Sequence, residues 1–146
     1  MSETVDANVL IYASNPASPH FQGSSAVLAD LASGPGLFYL FWPVTMAYLR
    51  VVTHRTLLQP PLSLDDALAN VESLLALPHV RAGSEQPGFL ASLRDVSRPL
   101  PAVGKLIHDA HIASLMRQHG VDTIWTYDRD FRKFDGIRVV DPLTRA

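Results

Sequence analysis

The sequence predicts an α/β fold, a three-layer α/β/α sandwich around a mainly parallel sheet. Strand and helix signals alternate along the chain, the order that places helices on the faces of a parallel sheet. The opening segment Thr4 to Ala13 is apolar in an unbroken run, as in a strand buried on both faces or one that runs into a helix. The clearest helix signal, after Ser63, lies between strand signals.

Taken in order, the polar stretch Ser14 to Pro19 interrupts the first run. The spacing of Phe21, Ala26, Val27, Leu28 and Leu31 predicts a helix over about His20 to Ser33, stopped by Gly34-Pro-Gly36. The aromatic run Leu37 to Trp42 predicts a second strand, with Trp42 in the core, and Met46 to His54 a helix. Ser63 is an N-cap followed by Asp65 and Asp66, where the helix dipole favours negative charge. Behind it Leu64, Ala67, Leu68, Val71, Leu74 and Leu75 keep helical spacing until Pro78. Val80 to Ala82 predicts a short third strand. Pro87, Pro99 and Pro101 punctuate a short helix near Phe89 to Val96. A helix over Lys105 to His119 ends at Gly120, and strands follow at Asp122 to Tyr127 and Ile137 to Val140.

The 146 residues, 47% hydrophobic and 18% charged, suit one globular domain over 1–146 with no linker or repeat. A net charge of −2 gives no bulk basic signature, so a polyanion would be held by a local basic rim or by bound cations. The absence of cysteine removes thiolate metal sites and cysteine nucleophiles and fits a reducing compartment. The N-terminus lacks the pattern of a signal peptide. The most apolar segment, Leu37 to Leu49, is about 13 residues against the roughly 20 of a membrane span. The expectation is a soluble cytoplasmic protein with no membrane partner.

Four carboxylates stand in apolar surroundings: Asp6 within the first run, Asp109 on a helix, and Asp128 and Asp130 after a strand. Such groups are costly unless paired, hydrogen-bonded or bound to metal. Ile112, Ala113 and Met116 lie three, four and seven residues beyond Asp109, which puts its carboxylate on the apolar stripe. In open α/β sheets ligands collect beyond the carboxyl ends of the strands, where these positions can meet. Each acid also has a local alternative. Asp109 can serve a helix N-terminus, Asp6 can bond nearby backbone beside Asn8, Asp128 can cap a turn, and Asp130 can pair with Arg129 or Arg132. Converging carboxylates repel unless a cation neutralises them, and oxygen-only ligation selects a hard ion, Mg2+ or Mn2+. Such ions activate and align water for attack on a phosphodiester, so metal-dependent phosphodiester hydrolysis is the leading chemistry.

Val5-Asp-Ala-Asn-Val-Leu-Ile-Tyr-Ala13, Leu49-Arg-Val-Val-Thr-His54, His108-Asp-Ala-His-Ile-Ala113, Thr126-Tyr-Asp-Arg-Asp-Phe131 and Gly136-Ile-Arg-Val-Val-Asp-Pro142 together resemble a PIN-domain ribonuclease of the VapC toxin type. The ordered set covers almost the whole chain. The resemblance implies a PIN-like sandwich, a Mg2+- or Mn2+-dependent endoribonuclease activity as the toxin of a toxin–antitoxin system, a VapB-type antitoxin partner and a homodimer. By position it assigns Asp6, Asp109, Asp128 and Asp130 as metal-holding catalytic acids. One departure stands out. Many members carry a glutamate where this chain has Ala47, although one branch has a small residue there. Glu72, flanking the apolar stripe of its helix, is a candidate replacement, but a solvated helix edge accounts for it better.

Other polar groups are weaker candidates. Six histidines invite zinc, and His108 with His111 has helical spacing, yet no third imidazole, HExxH motif or cysteine completes a zinc site. His111 is a candidate to orient water or touch substrate. Arg50, His54 and Arg55, and Arg129, Arg132 and Lys133, are candidate phosphate contacts. Tyr12 and Tyr127 are candidates to stack on unpaired bases. No glycine-rich phosphate loop or serine nucleophile elbow is present, and a phospho-acceptor receiver domain lacks its acceptor aspartate and late lysine. The alternative to a nuclease is a catalytically weak PIN-like domain that binds RNA or antitoxin without cleavage, motivated by Ala47.

Overall fold

The computed structural model describes residues 2–100 and 104–144; Pro101 lies outside them. Five strands form one sheet, β1 (Ser2–Val5), β2 (Leu37–Phe41), β3 (Val80–Gly83), β4 (Thr123–Trp125) and β5 (Arg138–Val140). Every pairing is parallel, and the order is β3-β2-β1-β4-β5. The expected mainly parallel sheet is therefore wholly parallel among the described residues.

Six helices complete the sandwich: α1 (Ala7–Ala13), α2 (Phe21–Ser33), α3 (Trp42–Val52), α4 (Leu64–Leu75), α5 (Phe89–Ser97) and α6 (Lys105–His119). They pack as two groups. The first joins α1 to α2 and α3, and α3 to α4; the second joins α5 to α6. The core lies between them and the sheet, with Val5, Phe38, Leu40, Phe41, Val44, Ile112, Leu115, Met116, Ile124 and Phe131 buried to 2% exposure or less.

Local chemistry sets the boundaries. The opening apolar run divides at Asp6, whose carboxylate accepts from Ala7 N–H at 2.8 Å and ends β1 by starting α1. The Ser63 hydroxyl caps α4 by accepting from Asp66 N–H at 3.1 Å. Gly120 closes α6 at φ 67°, a backbone state open to glycine at little cost.

Helix α3 corrects the sequence reading. It starts at Trp42, four residues before the expected Met46, because Pro43 falls in the first turn, where its missing N–H has no helical partner to lose. Trp42 thereby leaves the strand and stands 43% exposed rather than in the core. Among the described residues no helix is long and apolar enough to cross a membrane.

Candidate active site

The chain builds β1, β2 and β3 toward one edge, then returns to place β4 and β5 on the other side of β1. The direction of building reverses between β1 and β4, and a crevice opens there beyond the carboxyl ends of the strands. Asp6 follows β1 directly, and its N–H donates to the Trp125 carbonyl at the end of β4 at 3.0 Å. Asp128 and Asp130 follow β4. Helix α6 must run back across the sheet to enter β4, which brings its early residue Asp109 to the same end.

Asp109, Asp128 and Asp130 converge, each offering a carboxylate oxygen within 4.8 Å of the others. Asp109 is 2% exposed, and its Oδ2 is buried with no hydrogen-bond partner. The apolar stripe around it formed as expected, with Ile112, Ala113 and Met116 all buried. Burial, then repulsion from Asp128 and Asp6, pushes the Asp109 carboxyl up to about 6, with Lys105 opposing. Asp6 lies outside the tight trio but close enough to raise Asp109. Its own carboxyl is pushed up by burial, against hydrogen bonds from Ala7 N–H and Thr126.

The local alternatives for Asp6 and Asp128 are also realised, and they aim the carboxylates. Asp6 Oδ1 takes Ala7 N–H, while its Oδ2 accepts from Thr126 Oγ1 at 3.0 Å and Asn8 Nδ2 at 3.4 Å. Asp128 Oδ1 accepts Asp130 N–H at 2.9 Å and caps a 3-10 turn over Arg129–Lys133. Asp130 pairs with Lys133 at 3.4 Å and with Lys105 at 3.4 Å, in place of the expected Arg129 or Arg132. These ammonium groups, Lys133 foremost, hold its carboxyl below the usual range.

Three contributors escaped the sequence reading. The Thr126 hydroxyl is buried and ties three segments, donating to Asp6 and accepting from Asp128 N–H at 2.9 Å and Asn8 Nδ2 at 3.3 Å. Lys105 Nζ donates to Asp128 Oδ2 and Asp130 Oδ2. Its spacing of four residues before Asp109 on α6 was a legible signal. Glu85, just past β3, bonds His111 Nε2 at 2.7 Å, and no sequence pattern announced it.

The remaining candidates divide. Asn8 belongs to the Asp6–Thr126 network. Arg129 is exposed beside the acidic pair. His111 is engaged with Glu85 and meets Phe89 edge-on at 5.2 Å. Arg50 is exposed in the last turn of α3, roughly 12 Å along the helix from its start at the sheet's carboxyl edge. Tyr12, His20 and Tyr127 pack ring on ring at 4.5 to 5.3 Å. Glu72 is exposed on α4, whose main partners are α3 and β3 rather than the acid-bearing segments. Ala47 is half-buried on α3, a helix that contains no carboxylate.

A reversing parallel sheet with acids gathered at its switch point is the architecture of a PIN domain. Residues 4–137 match the PIN-domain family model, and the chain belongs to this family. It is 49% identical over 144 residues to Ribonuclease VapC48 of Mycobacterium tuberculosis, spanning 99% of both chains. It is 34% identical over 144 residues to Ribonuclease VapC37 of the same organism, spanning 94% of this chain and 95% of that one. The fold also matches the VapBC-1 structure from nontypeable Haemophilus influenzae, with TM-score 0.68, 12% identity and coverage of 99% and 100%. It matches VapC20 of M. tuberculosis, described as a sarcin-ricin loop cleaving toxin, with TM-score 0.66, 17% identity and coverage of 93% and 98%.

Proposed function

We propose that the chain is a divalent-metal-dependent endoribonuclease, the toxin of a toxin–antitoxin pair, acting in the cytoplasm and controlled by a VapB-type antitoxin. The observation that carries this reading is Asp109: a buried carboxylate with a bare oxygen, its pKa raised by burial and then by its acidic neighbours, in a chain closely related to named ribonucleases. A buried acid without a donor is costly unless a cation meets it, and the donor set around it is entirely carboxylate oxygen. That set suits Mg2+ or Mn2+ over softer metals.

Asp109, Asp128 and Asp130 would hold the ion, with Asp6 beside them. When bound, it supplies a Lewis acid that lowers the pKa of water and offsets charge on the phosphodiester. The chain's own residues set the geometry. Thr126 and Asn8 fix Asp6 Oδ2, the Asp130 N–H fixes Asp128 Oδ1, and exposed Arg129 offers a guanidinium to the RNA backbone. The homodimer expected by resemblance fits the exposed Trp42 and Met46 on α3, at 43% and 60%.

The test is cleavage of a mixed RNA pool by antitoxin-free protein with Mg2+, with Mn2+ and with EDTA, alongside Asp6→Asn and Asp109→Asn. Metal-dependent cutting lost in both variants is expected. Undiminished cutting by either would sink the assignment. A second reading, RNA or antitoxin binding without cleavage, draws on the carboxylate-free helix α3. RNA binding that persists in EDTA, with no cleavage in any lane, would favour it.

A further inference from the structure

We propose that Lys105 holds the position of a second cation in the acidic site, so that the chain takes a single divalent ion seated at Asp109. The inference rests on the metal centre proposed above and specifies how many ions it holds.

The acidic site is electrically divided. Lys105 is the first residue of α6 and stands four residues before Asp109, on the same helical face. Its ammonium bridges Asp128 Oδ2 and Asp130 Oδ2. The other oxygens of that pair are also engaged, Asp128 Oδ1 with the Asp130 N–H at 2.9 Å and Asp130 Oδ1 with Lys133 at 3.4 Å. Asp109 Oδ2, by contrast, is buried and meets no donor. The unmet demand for positive charge is therefore greatest at Asp109, with Asp6 beside it, while Asp128 and Asp130, which would share the ion with Asp109, already answer to one cation supplied by the chain.

The helices that follow β1 and β2 directly, α1 and α3, contain no aspartate or glutamate, and Glu85 after β3 is engaged with His111. One divalent ion together with Lys105 offsets three of the four carboxylate charges. A second ion would have to evict the ammonium, because two cations sharing the same oxygens repel at contact distance. Lys105 is thus a positioning residue that keeps Asp128 and Asp130 together and restricts the site to one ion. Its side chain is 67% exposed, so the charge can be removed without opening the core.

The experiment counts Mn2+ per chain by electron paramagnetic resonance of the free ion. It uses the full-length, antitoxin-free protein and its Lys105→Met, Lys105→Arg and Asp109→Asn variants, each confirmed as folded by circular dichroism. The wild type is expected to bind one ion, Lys105→Met two, Lys105→Arg one and Asp109→Asn none at the same concentrations. Two ions in the wild type, or still one in Lys105→Met, would overturn the role of Lys105 and leave the nuclease reading standing. An ion retained by Asp109→Asn, or no ion in the wild type, would overturn the metal centre itself and this inference with it.

Discussion

The Thr126 hydroxyl donates to Asp6 Oδ2 at 3.0 Å across the gap between the ends of β1 and β4, and in turn accepts the Asp128 N–H at 2.9 Å. One buried oxygen thereby orients the first acid and the turn that carries the last two. Removing it leaves a buried carboxylate and a backbone N–H without their partner. Thr126→Val should cost about 1–3 kcal/mol of stability in urea denaturation. RNA cleavage should fall by about 10- to 100-fold, as for other groups that orient metal ligands, and Thr126→Ser should recover most of it.

The Asp109 carboxyl, pushed up to about 6 by burial and neighbouring acids, makes a signed prediction for the metal-free protein. Its folded pKa exceeds its ordinary value near 3.9, so the folded state binds more protons between the two values. Stability therefore falls as pH rises from about 4 through about 6 and stays lower above. Asp109→Asn escapes this penalty. In EDTA it should match the wild type near pH 4 and exceed it by up to about 3 kcal/mol above pH 7, read from urea melts at each pH. A variant less stable than wild type at pH 8 would contradict the strain assigned to Asp109.

Adding the ion should close most of that gap. Mn2+ at about 100 times its Kd should stabilise the wild type by about 2.7 kcal/mol, and EDTA should remove the gain. Asp109→Asn should show no such gain in a thermal melt with and without Mn2+.

The Glu85–His111 pair bridges the segment after β3 to α6, with both side chains partly exposed at 44% and 30%. Glu85's carboxyl is held below its usual range, first by its own backbone N–H and then by His111. A lowered pKa contributes stability above the ordinary glutamate value and loses it as pH falls through the folded one. Exposure keeps the effect small. His111→Ala should cost under about 1 kcal/mol near pH 6 and leave Mn2+ binding unchanged. Loss of the ion in that variant would show that His111 belongs to the site.

Gly83, the last residue of β3, has no room for a side chain. A Cβ there would lie 2.6 Å from two ring atoms of Phe41, which is itself fully buried and cannot swing aside. Gly83→Ala should destabilise by about 1–3 kcal/mol in chemical denaturation through overpacking.

Much of the fold was written in local chemistry. Helix α4 followed from the Ser63 cap and its apolar spacing, and α6 from its apolar stripe and Gly120, because caps and periodicity act within a few residues. The boundary at Trp42 was misplaced because an aromatic run serves a strand or a helix start equally well, and Pro43 decides between them only through the backbone it joins. At the site, the four acids were legible because carboxylates in apolar runs are costly one at a time. The Thr126 hydroxyl that orients Asp6 and the Glu85 that meets His111 were not, since both are ordinary residues at ordinary strand or loop positions until the chain folds, and Lys105 was signalled only by its helical spacing from Asp109.

By itself the sequence determined the class of fold and the family and singled out the four acids proposed for the site, because helical period, strand composition and buried charge are properties of short stretches. Tertiary structure alone decided that three of those acids meet within 4.8 Å while Asp6 stands beside them, and that Lys105 rather than an arginine answers the outer pair. Those facts depend on the reversal of strand order at β1 and β4. It brings together residues more than a hundred positions apart, and electrostatic interaction follows distance in space rather than distance along the chain.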